Sequence, residues 1–191
     1  MNITSRMARR IIAATAATAA AIAVPAVALA APGHTAARAT PAAAPRCTSG
    51  QLRAWLGIPG EPAAGTIHYQ LELSNISRST CSLDGYPGVS AFGPHGGQLG
   101  SAAVRDHSHA VHLLTLKPGA TSHVEMSLVE VANFPAKNCQ PIRASGLKVY
   151  APGAFRSLEI PYTFTACSKR GPKYLGVTTV ISGTGIPYHS H

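Results

Sequence analysis

The sequence predicts an all-β domain, and three observations lead to this fold class. Apolar and polar residues alternate over several short segments, which is the period of a strand buried on one face. Glycine and proline, with 18 and 15 residues, separate these segments as turn residues do. No segment after residue 56 keeps a helical period over ten or more residues, which disfavours parallel βαβ units. We therefore predict an antiparallel two-sheet sandwich of the Greek-key, immunoglobulin-like kind, with a small closed β-barrel as the alternative.

Residues 1–30 have the three parts of an export signal. Arg6, Arg9 and Arg10 precede an apolar run over 11–29, and Ala28-Leu29-Ala30 is a small-x-small cleavage site. A membrane anchor is the alternative, but the run is mostly alanine, which contributes little transfer free energy. We expect a secreted protein that starts near Ala31 and has no integral membrane span. The choice between general secretory and twin-arginine export stays open.

The charge balance is basic before and after cleavage. Cleavage removes three of the 16 Lys and Arg residues and none of the seven Asp and Glu, so the net charge falls from +9 to +6. The basic residues are scattered and aromatic residues are few, so we expect no nucleic-acid partner. The one dense basic run, 169–173, is typical of a solvated turn, with attraction to an anionic wall polymer or to lipid headgroups as the alternative.

Four cysteines lie in the exported part of the chain, where thiols are oxidised. Their separations of 34, 58 and 28 residues contain no C-x-x-C pair, which argues against a zinc site. We predict the sequence-local pairs Cys47–Cys81 and Cys139–Cys167. The first would tie the N-terminal helix to the second strand, and the second would join the two C-terminal strands.

The predicted β-sandwich domain spans 47–183. Residues 31–46 are mostly Ala, Pro, Thr and Gly with almost no large apolar side chain, which predicts a disordered tether. Residues 184–191 are predicted to be a flexible tail. Residues 49–56 predict a short helix that is capped by Thr48 or Ser49 and ended by Gly57 and Pro59, with Leu52, Trp55 and Leu56 on one buried face.

Two segments show the strand period most clearly, 66–74 and 123–128. Apolar residues are predicted to face the core and polar residues to face water; the polar set is His68, Gln70 and Glu72 in the first, and His123, Glu125 and Ser127 in the second. Met126 is predicted to face inward. The further strand candidates, each bounded by turn residues, are 88–92, 110–116, 147–150, 157–164 and 174–181.

Lys117-Pro118-Gly119 has proline and glycine at the central positions that a type II turn prefers. We therefore expect strand 110–116 to turn directly into strand 121–129 and to pair with it antiparallel.

Three strings carry a resemblance to a known family: Leu73-Ser74-Asn75-Ile76-Ser77, the segment Cys81-Ser82-Leu83-Asp84-Gly85-Tyr86-Pro87-Gly88-Val89, and Leu116-Lys117-Pro118-Gly119. With the later cysteines, they resemble a family of exported actinobacterial proteins known only as a domain of unknown function (DUF4232), over roughly 47–183. The resemblance implies an extracytoplasmic, four-cysteine β-domain, often behind a signal peptide or lipid anchor and a low-complexity tether. It supplies no activity and no catalytic residue. The lipid-anchor cysteine of some members is missing here, which favours release or loose wall association.

Tyr86, Pro87 and Gly88 form the candidate binding loop. Their sequence is sufficient for a tight turn, because Pro87 fixes φ and Gly85 and Gly88 permit left-handed conformations. Display of Tyr86 for recognition is the functional alternative.

Catalytic candidates are scarce. There is no G-x-S-x-G string, no P-loop and no dinucleotide fingerprint, and the cysteines are expected to be bonded. Asp84 and Asp106 are the only aspartates, and the five glutamates are scattered. We predict no catalytic residues and no cofactor.

His107, His109 and His112 are the candidate metal ligands. An extended backbone would place His107 and His109 about 7 Å apart on one face, a spacing that suits Zn²⁺ or Cu²⁺, and His189 and His191 near the C-terminus are further candidates. Exposed imidazoles in a polar loop are the plainer interpretation.

These observations favour a monomeric, non-enzymatic extracellular or cell-wall-associated binding module with an unknown envelope partner. A zinc- or copper-binding protein and a hydrolase whose site is not visible in sequence are the alternatives. Loops commonly carry function on a rigid sandwich. Glycine, proline, histidine and tyrosine concentrate in four predicted loops, 84–88, 94–97, 106–109 and 169–173. The sequence does not show whether these loops share one end of the sandwich.

Overall fold

The computed structural model describes residues 43–57, 59–60 and 62–185. The predicted signal peptide, residues 31–42 of the predicted tether and residues 186–191 lie outside the described residues. The described chain is mostly β, as predicted. Its twelve strands are β1 (Leu52–Leu56), β2 (Thr66–Asn75), β3 (Cys81–Leu83), β4 (Gly88–Phe92), β5 (Gln98–Leu99), β6 (Val104–Arg105), β7 (Leu114–Leu116), β8 (Thr121–Val129), β9 (Pro141–Tyr150), β10 (Leu158–Cys167), β11 (Leu175–Val177) and β12 (Ile181–Ser182).

The strands form two main sheets and one short two-stranded sheet. The first sheet has the order β1-β2-β8-β11-β6, with β12 also paired to β8, and the second has the order β10-β9-β4-β5. β3 pairs with β7 in the two-stranded sheet. All of these pairs are antiparallel except β11 with β6. No sheet of the described chain closes on itself, so the sandwich is the correct alternative rather than the barrel.

The core lies between the inner faces of the two main sheets. β8 alternates strictly, with Val124, Met126 and Leu128 buried between partly exposed neighbours, as the sequence pattern predicts. Leu71 of β2 and Leu147 of β9 are fully buried in the same cluster. Burial of such side chains contributes about 1.5–3 kcal/mol each, which makes this alternation the main determinant of strand orientation.

Both predicted disulfides are confirmed. Cys47 is bonded to Cys81 and Cys139 to Cys167, and all four side chains are buried. Beside the first disulfide, Ser82 donates from its Oγ to Ala44 O (2.9 Å) and from its backbone N to Pro45 O (2.8 Å). The ordered chain therefore includes the last residues of the segment predicted as tether.

The predicted N-terminal helix over 49–56 is wrong over most of its length. A single 3₁₀ turn covers Ser49–Gln51, and β1 follows, paired with β2 over its whole length. Leu52 is buried, but Trp55 is 39% exposed and donates from Nε1 to Ser74 Oγ at 3.1 Å. The helical spacing of the apolar residues was therefore misleading, because the backbone hydrogen bonds of this segment are made with β2.

The turn at Lys117-Pro118-Gly119 is confirmed, but the predicted pairing across it is wrong. Ala120 N donates to Lys117 O at 2.9 Å, and Gly119 has φ +77°, as a type II turn requires. The two strands that flank this turn do not pair with each other, because β7 pairs with β3 and β8 pairs with β2.

Four predicted strands differ at their ends, and the first of them, 110–116, forms a strand only over the last three residues, as β7. Segment 147–150 is the end of the longer β9, 157–164 extends to Cys167 in β10, and 174–181 is divided into β11 and β12. Between those two strands, Val180 N donates to Gly85 O (3.0 Å) instead of continuing the ladder with β8.

Candidate functional site

Two of the predicted loops meet through an aromatic contact. The Tyr86 ring lies edge-on to the His107 ring with 4.9 Å between centroids, and the Arg105 guanidinium lies 5.7 Å from the centre of the Tyr86 ring. Tyr86 is half-buried, Pro87 is buried and Gly88 is exposed. The structure thus joins the candidate binding loop to the histidine-containing loop and holds Tyr86 at the surface.

A second aromatic side chain is far more exposed. Phe155 lies in the connection between β9 and β10 and is 98% exposed. The next residue, Arg156, is held by a hydrogen bond from Ser49 Oγ to its carbonyl oxygen (2.6 Å). The domain therefore leaves this large apolar ring uncovered on a backbone that is tied to Ser49.

Arg46 connects the two aromatic positions. It lines a surface cavity of about 490 Å³ together with Phe155 and Arg156. Its Nη1 lies 2.5 Å from Asp84 Oδ1, a charge contact rather than an aligned hydrogen bond. We call the surface formed by Arg46, Tyr86, Arg105, Phe155 and Arg156 the Phe155 face.

Phe155 and Arg46 were not among the candidate residues from sequence. Arg46 falls in the segment interpreted as tether, and its role depends on contact with Asp84, which is 38 positions away. Pro152-Gly153 does indicate a turn before Phe155. Exposure of the aromatic residue that follows depends on the absence of neighbours, which a sequence pattern does not report.

Two of the four predicted loops, 84–88 and 169–173, lie at opposite ends of the sandwich. Gly88 pairs with Tyr150 at the end of β9, whereas Cys167, just before the basic run 169–173, pairs with Pro141 at its start. β9 has 10 residues and so spans about 30 Å. Loop 94–97 follows the far end of β4 from Gly88. Only loops 84–88 and 106–109 belong to the Phe155 face.

The metal hypothesis assumes an extended backbone that places His107 and His109 on one face, and the structure does not have this backbone. Loop 106–109 is bent rather than extended, because Asp106 Oδ1 accepts a hydrogen bond from Ser108 N at 2.9 Å. His107 packs on Tyr86, and His109 Nδ1 is hydrogen-bonded to Ser108 Oγ at 3.0 Å. Within the described residues, no group of three or more His, Cys, Asp or Glu, including His112, is placed to hold a metal. His189 and His191 lie outside the described residues.

Ser108, His109 and Asp106 are the nearest approach to a hydrolytic constellation, but their connections differ from those of a triad. The Asp106 carboxylate accepts from the Ser108 backbone and does not orient the His109 ring. These hydrogen bonds from Ser108 hold the pKa of Asp106 below its usual range. All three residues are exposed, so no low-dielectric pocket surrounds them.

The outer face of β2 is not the wet face that the alternation predicts. Gln70 and Glu72 are buried, the latter at 1% exposure. Gly185 N donates to Glu72 Oε1 at 2.9 Å, and Gly185 packs directly against the Gln70 side chain. The start of the predicted flexible tail therefore covers this face. On the neighbouring β8, Glu125 is hydrogen-bonded to His68 Nδ1 (2.7 Å), and His123 Nδ1 donates to Gly183 O (2.8 Å).

Burial raises the pKa of Glu72, while the Gly185 N–H and the nearby His123 oppose the rise. A folded pKa above the unfolded value means that the folded state holds the proton more tightly. The stability that this group contributes is therefore full below the unfolded pKa and falls as pH rises through the folded pKa. We expect Glu72→Gln to remove this fall, so that the free energy of unfolding of the variant increases relative to that of the wild type as pH rises above the ordinary carboxyl pKa of about 4.3.

Chemical denaturation at several pH values measures this difference. Glu159→Gln, which removes an exposed carboxylate, is the matched control for the loss of one negative charge. Parallel profiles for the wild type and Glu72→Gln would contradict the account.

An aromatic groove opens between the two sheets near the start of β9. It has a volume of about 560 Å³, and its lining includes Ile67, Tyr69, Leu128, Tyr162 and Phe164. The Tyr69 and Tyr162 hydroxyls are hydrogen-bonded to each other, and the Tyr162 and Phe164 rings stack with 5.5 Å between centroids. Burial and this hydrogen bond raise the pKa of Tyr69, so its hydroxyl stays protonated at neutral pH. The groove has the surface chemistry for an apolar or planar group.

The strings that suggested a family resemblance have structural roles. Asn75 is fully buried, donates from Nδ2 to Leu116 O (2.9 Å) and Ser79 O (2.8 Å), and accepts at Oδ1 from Ser77. Gly119 N donates to Asn75 O at 2.8 Å. Asn75 therefore joins the end of β2 to β7 through its side chain and to the turn before β8 through its backbone carbonyl, which explains how these separate strings specify a single junction.

A family model described as Domain of unknown function (DUF4232) matches residues 47–180, which include both disulfides and the Asn75 junction. No curated protein matches the chain. Across the described residues, no helix is long and apolar enough to cross a membrane.

Proposed function

The chain belongs to this domain-of-unknown-function family, and we propose that it is a secreted, non-enzymatic binding module that engages an extracellular or wall-associated partner through the Phe155 face. The observation that carries the proposal is the 98% exposure of Phe155 beside Arg46 and Arg156, which line the same surface cavity. Aromatic residues and arginine dominate the energetics of protein interfaces, where they fill pockets that exclude water.

The backbone around Phe155 is fixed before any partner binds. The hydrogen bond from Ser49 to the Arg156 carbonyl ties this loop to the residues just after Cys47, which is bonded to Cys81. A pre-organised side chain loses less conformational entropy on binding than one on a mobile loop. Transfer of an exposed Phe into a partner's pocket contributes about 1.5–3 kcal/mol.

The charges around Phe155 define the chemistry of the partner. Arg105 and Arg156 are exposed, while Arg46 is partly engaged by Asp84. We therefore propose a protein partner with an apolar pocket for Phe155 and carboxylates at its rim. Such rim charges accelerate association and make it sensitive to salt, because the Debye length is about 8 Å at physiological ionic strength.

Two lines of support concern location and the lack of catalysis. The two disulfides and the N-terminal export pattern support an oxidising, extracellular location. Asp84 contacts Arg46 and Asp106 binds the Ser108 backbone, so these carboxylates serve local structure. We propose that the protein acts without a cofactor and turns over no substrate.

Substitution of Phe155 tests the proposal. We expect Phe155→Ala to weaken binding of the secreted domain to the cell envelope of its producing organism about 30-fold, the loss expected for an interface hot spot of about 2 kcal/mol. The measurement is a saturation binding curve of labelled protein on washed envelope fragments.

Ile142→Ala is the matched control for this experiment. Ile142 is 43% exposed and lies at the opposite end of β9, so the substitution removes exposed apolar surface without touching the Phe155 face. Equal losses for the two variants, or unchanged binding by Phe155→Ala, would refute the proposed surface.

A further inference from the structure

A groove at the opposite end of the sandwich from the Phe155 face concentrates positive charge. Its lining includes Lys137, Lys169 and Arg170, together with Asn138 and the backbone of Gly171, and its volume is about 450 Å³. None of the described residues that line it is acidic. We call it the basic groove.

The chain around the groove is crosslinked, so the cations are held near one another in a fixed frame. The Cys139–Cys167 disulfide joins its two walls. Lys169 N donates to Cys139 O (3.2 Å), and Lys169 Nζ donates to Lys137 O (3.2 Å). Gly171 N donates to Ser101 Oγ (2.9 Å) on the far side.

Such an arrangement favours an anionic ligand. Like charges that cannot move apart repel one another, and a bound anion relieves that repulsion. Arginine offers a planar fork of donors that matches phosphate oxygens, and lysine adds a mobile point charge. Part of this cluster is visible in the sequence as the basic run 169–173. Lys137 is distant in sequence and is brought next to that run only by the fold.

We infer that the basic groove binds successive phosphate groups of a phosphodiester polymer that is not a nucleic acid, such as an anionic polymer of the cell wall. Three cations along an open groove suit a repeating anion better than a single one. Phe134, the aromatic residue of the lining, is half-buried and packs against the core. It is therefore not free to stack on nucleic-acid bases or to insert into a lipid surface.

This inference does not depend on the Phe155 face. Phe155 and the basic groove lie beyond opposite ends of β9, a strand of about 30 Å, and no residue that lines the groove belongs to the Phe155 face. Binding of a wall polymer at one end would leave the Phe155 face free for its partner.

The test measures binding of linear polyphosphate, a soluble polyanion of repeating phosphate groups, by titration calorimetry. The groove variant is Lys137→Gln/Lys169→Gln/Arg170→Gln. The matched control is Arg53→Gln/Arg78→Gln/Lys117→Gln, which removes the same charge from other exposed positions. We expect the groove variant to bind about tenfold more weakly or worse and the control to change little. In a plot of the logarithm of the binding constant against the logarithm of the salt concentration, the slope for the groove variant should be smaller in magnitude than that for the wild type by about 2.

A second variant and further ligands distinguish the possible outcomes of this experiment. If the triple variant does not fold, Lys137→Gln/Arg170→Gln retains the Lys169 hydrogen bond and should still bind more weakly. Phe155→Ala should bind polyphosphate as the wild type does, so failure of one proposal is distinguishable from failure of the other. Equal losses in the groove and control variants would overturn the inference. So would absence of binding by the wild type, or tighter binding to single-stranded DNA or to phosphatidylglycerol vesicles than to polyphosphate.

Discussion

Removal of the Cys139–Cys167 disulfide by Cys139→Ala/Cys167→Ala is expected to lower the free energy of unfolding by about 3 to 4 kcal/mol. The bridge closes a loop with a sequence separation of 28, and closure of a loop of this length removes about that much entropy, as free energy, from the unfolded chain. Both side chains are fully buried, so the small alanine replacements add a packing loss of the same sign.

Thermal and urea denaturation of the purified domain measure this effect, and the midpoint temperature should fall by about 10 °C. Reduction of a Cys47→Ala/Cys81→Ala variant, in which Cys139–Cys167 is the remaining disulfide, separates the crosslink from the packing loss. A decrease smaller than about 1 kcal/mol would contradict the assigned role, since it would mean that the hydrogen bonds around Cys139 hold the two segments together without the bridge.

Gly146→Ala is expected to destabilise the domain by about 3 kcal/mol or more, at the upper end of what overpacking costs. Gly146 lies in β9 opposite Pro161 of β10. A Cβ atom at this position would collide with the Ile160 carbonyl oxygen and lie 2.8 and 2.9 Å from two ring carbons of Phe92. The carbonyl is part of the sheet backbone, so it has little room to move.

Gly97→Ala is the matched control, because a Cβ atom there meets nothing within 4 Å and the backbone needs no left-handed conformation. It should change stability by no more than about 0.5 kcal/mol. Comparable losses from the two substitutions in a denaturation experiment would show that glycine flexibility, and not the close approach at Gly146, sets the cost.

Sequence patterns predict those parts of the fold that depend on local burial. The alternation in β8 is correct because one face packs on the core and the other stays partly exposed. The same pattern fails on β2, where Gly185, more than 100 positions away, covers Gln70 and Glu72. Likewise, the spacing of Leu52, Trp55 and Leu56 fits a helix, but pairing with β2 makes the segment a strand.

The candidate site was less predictable than the fold. Tyr86 and His107 could be selected as loop residues, since turn chemistry is local, but their contact with each other could not. Arg46 and Lys137 gain their positions from the two disulfides, which join segments that are distant in sequence. Phe155 is distinguished only by the lack of side chains around it.

Site-specific photocrosslinking at position 155 tests the central claim most directly. A photoreactive phenylalanine analogue replaces Phe155 in one protein and Ile142 in the other, and each is irradiated on the envelope of the producing organism. We predict a discrete protein adduct from position 155 only, one that excess wild-type domain suppresses and excess Phe155→Ala does not. No adduct at position 155, or the same adduct from position 142, would contradict the claim that the Phe155 face binds the partner.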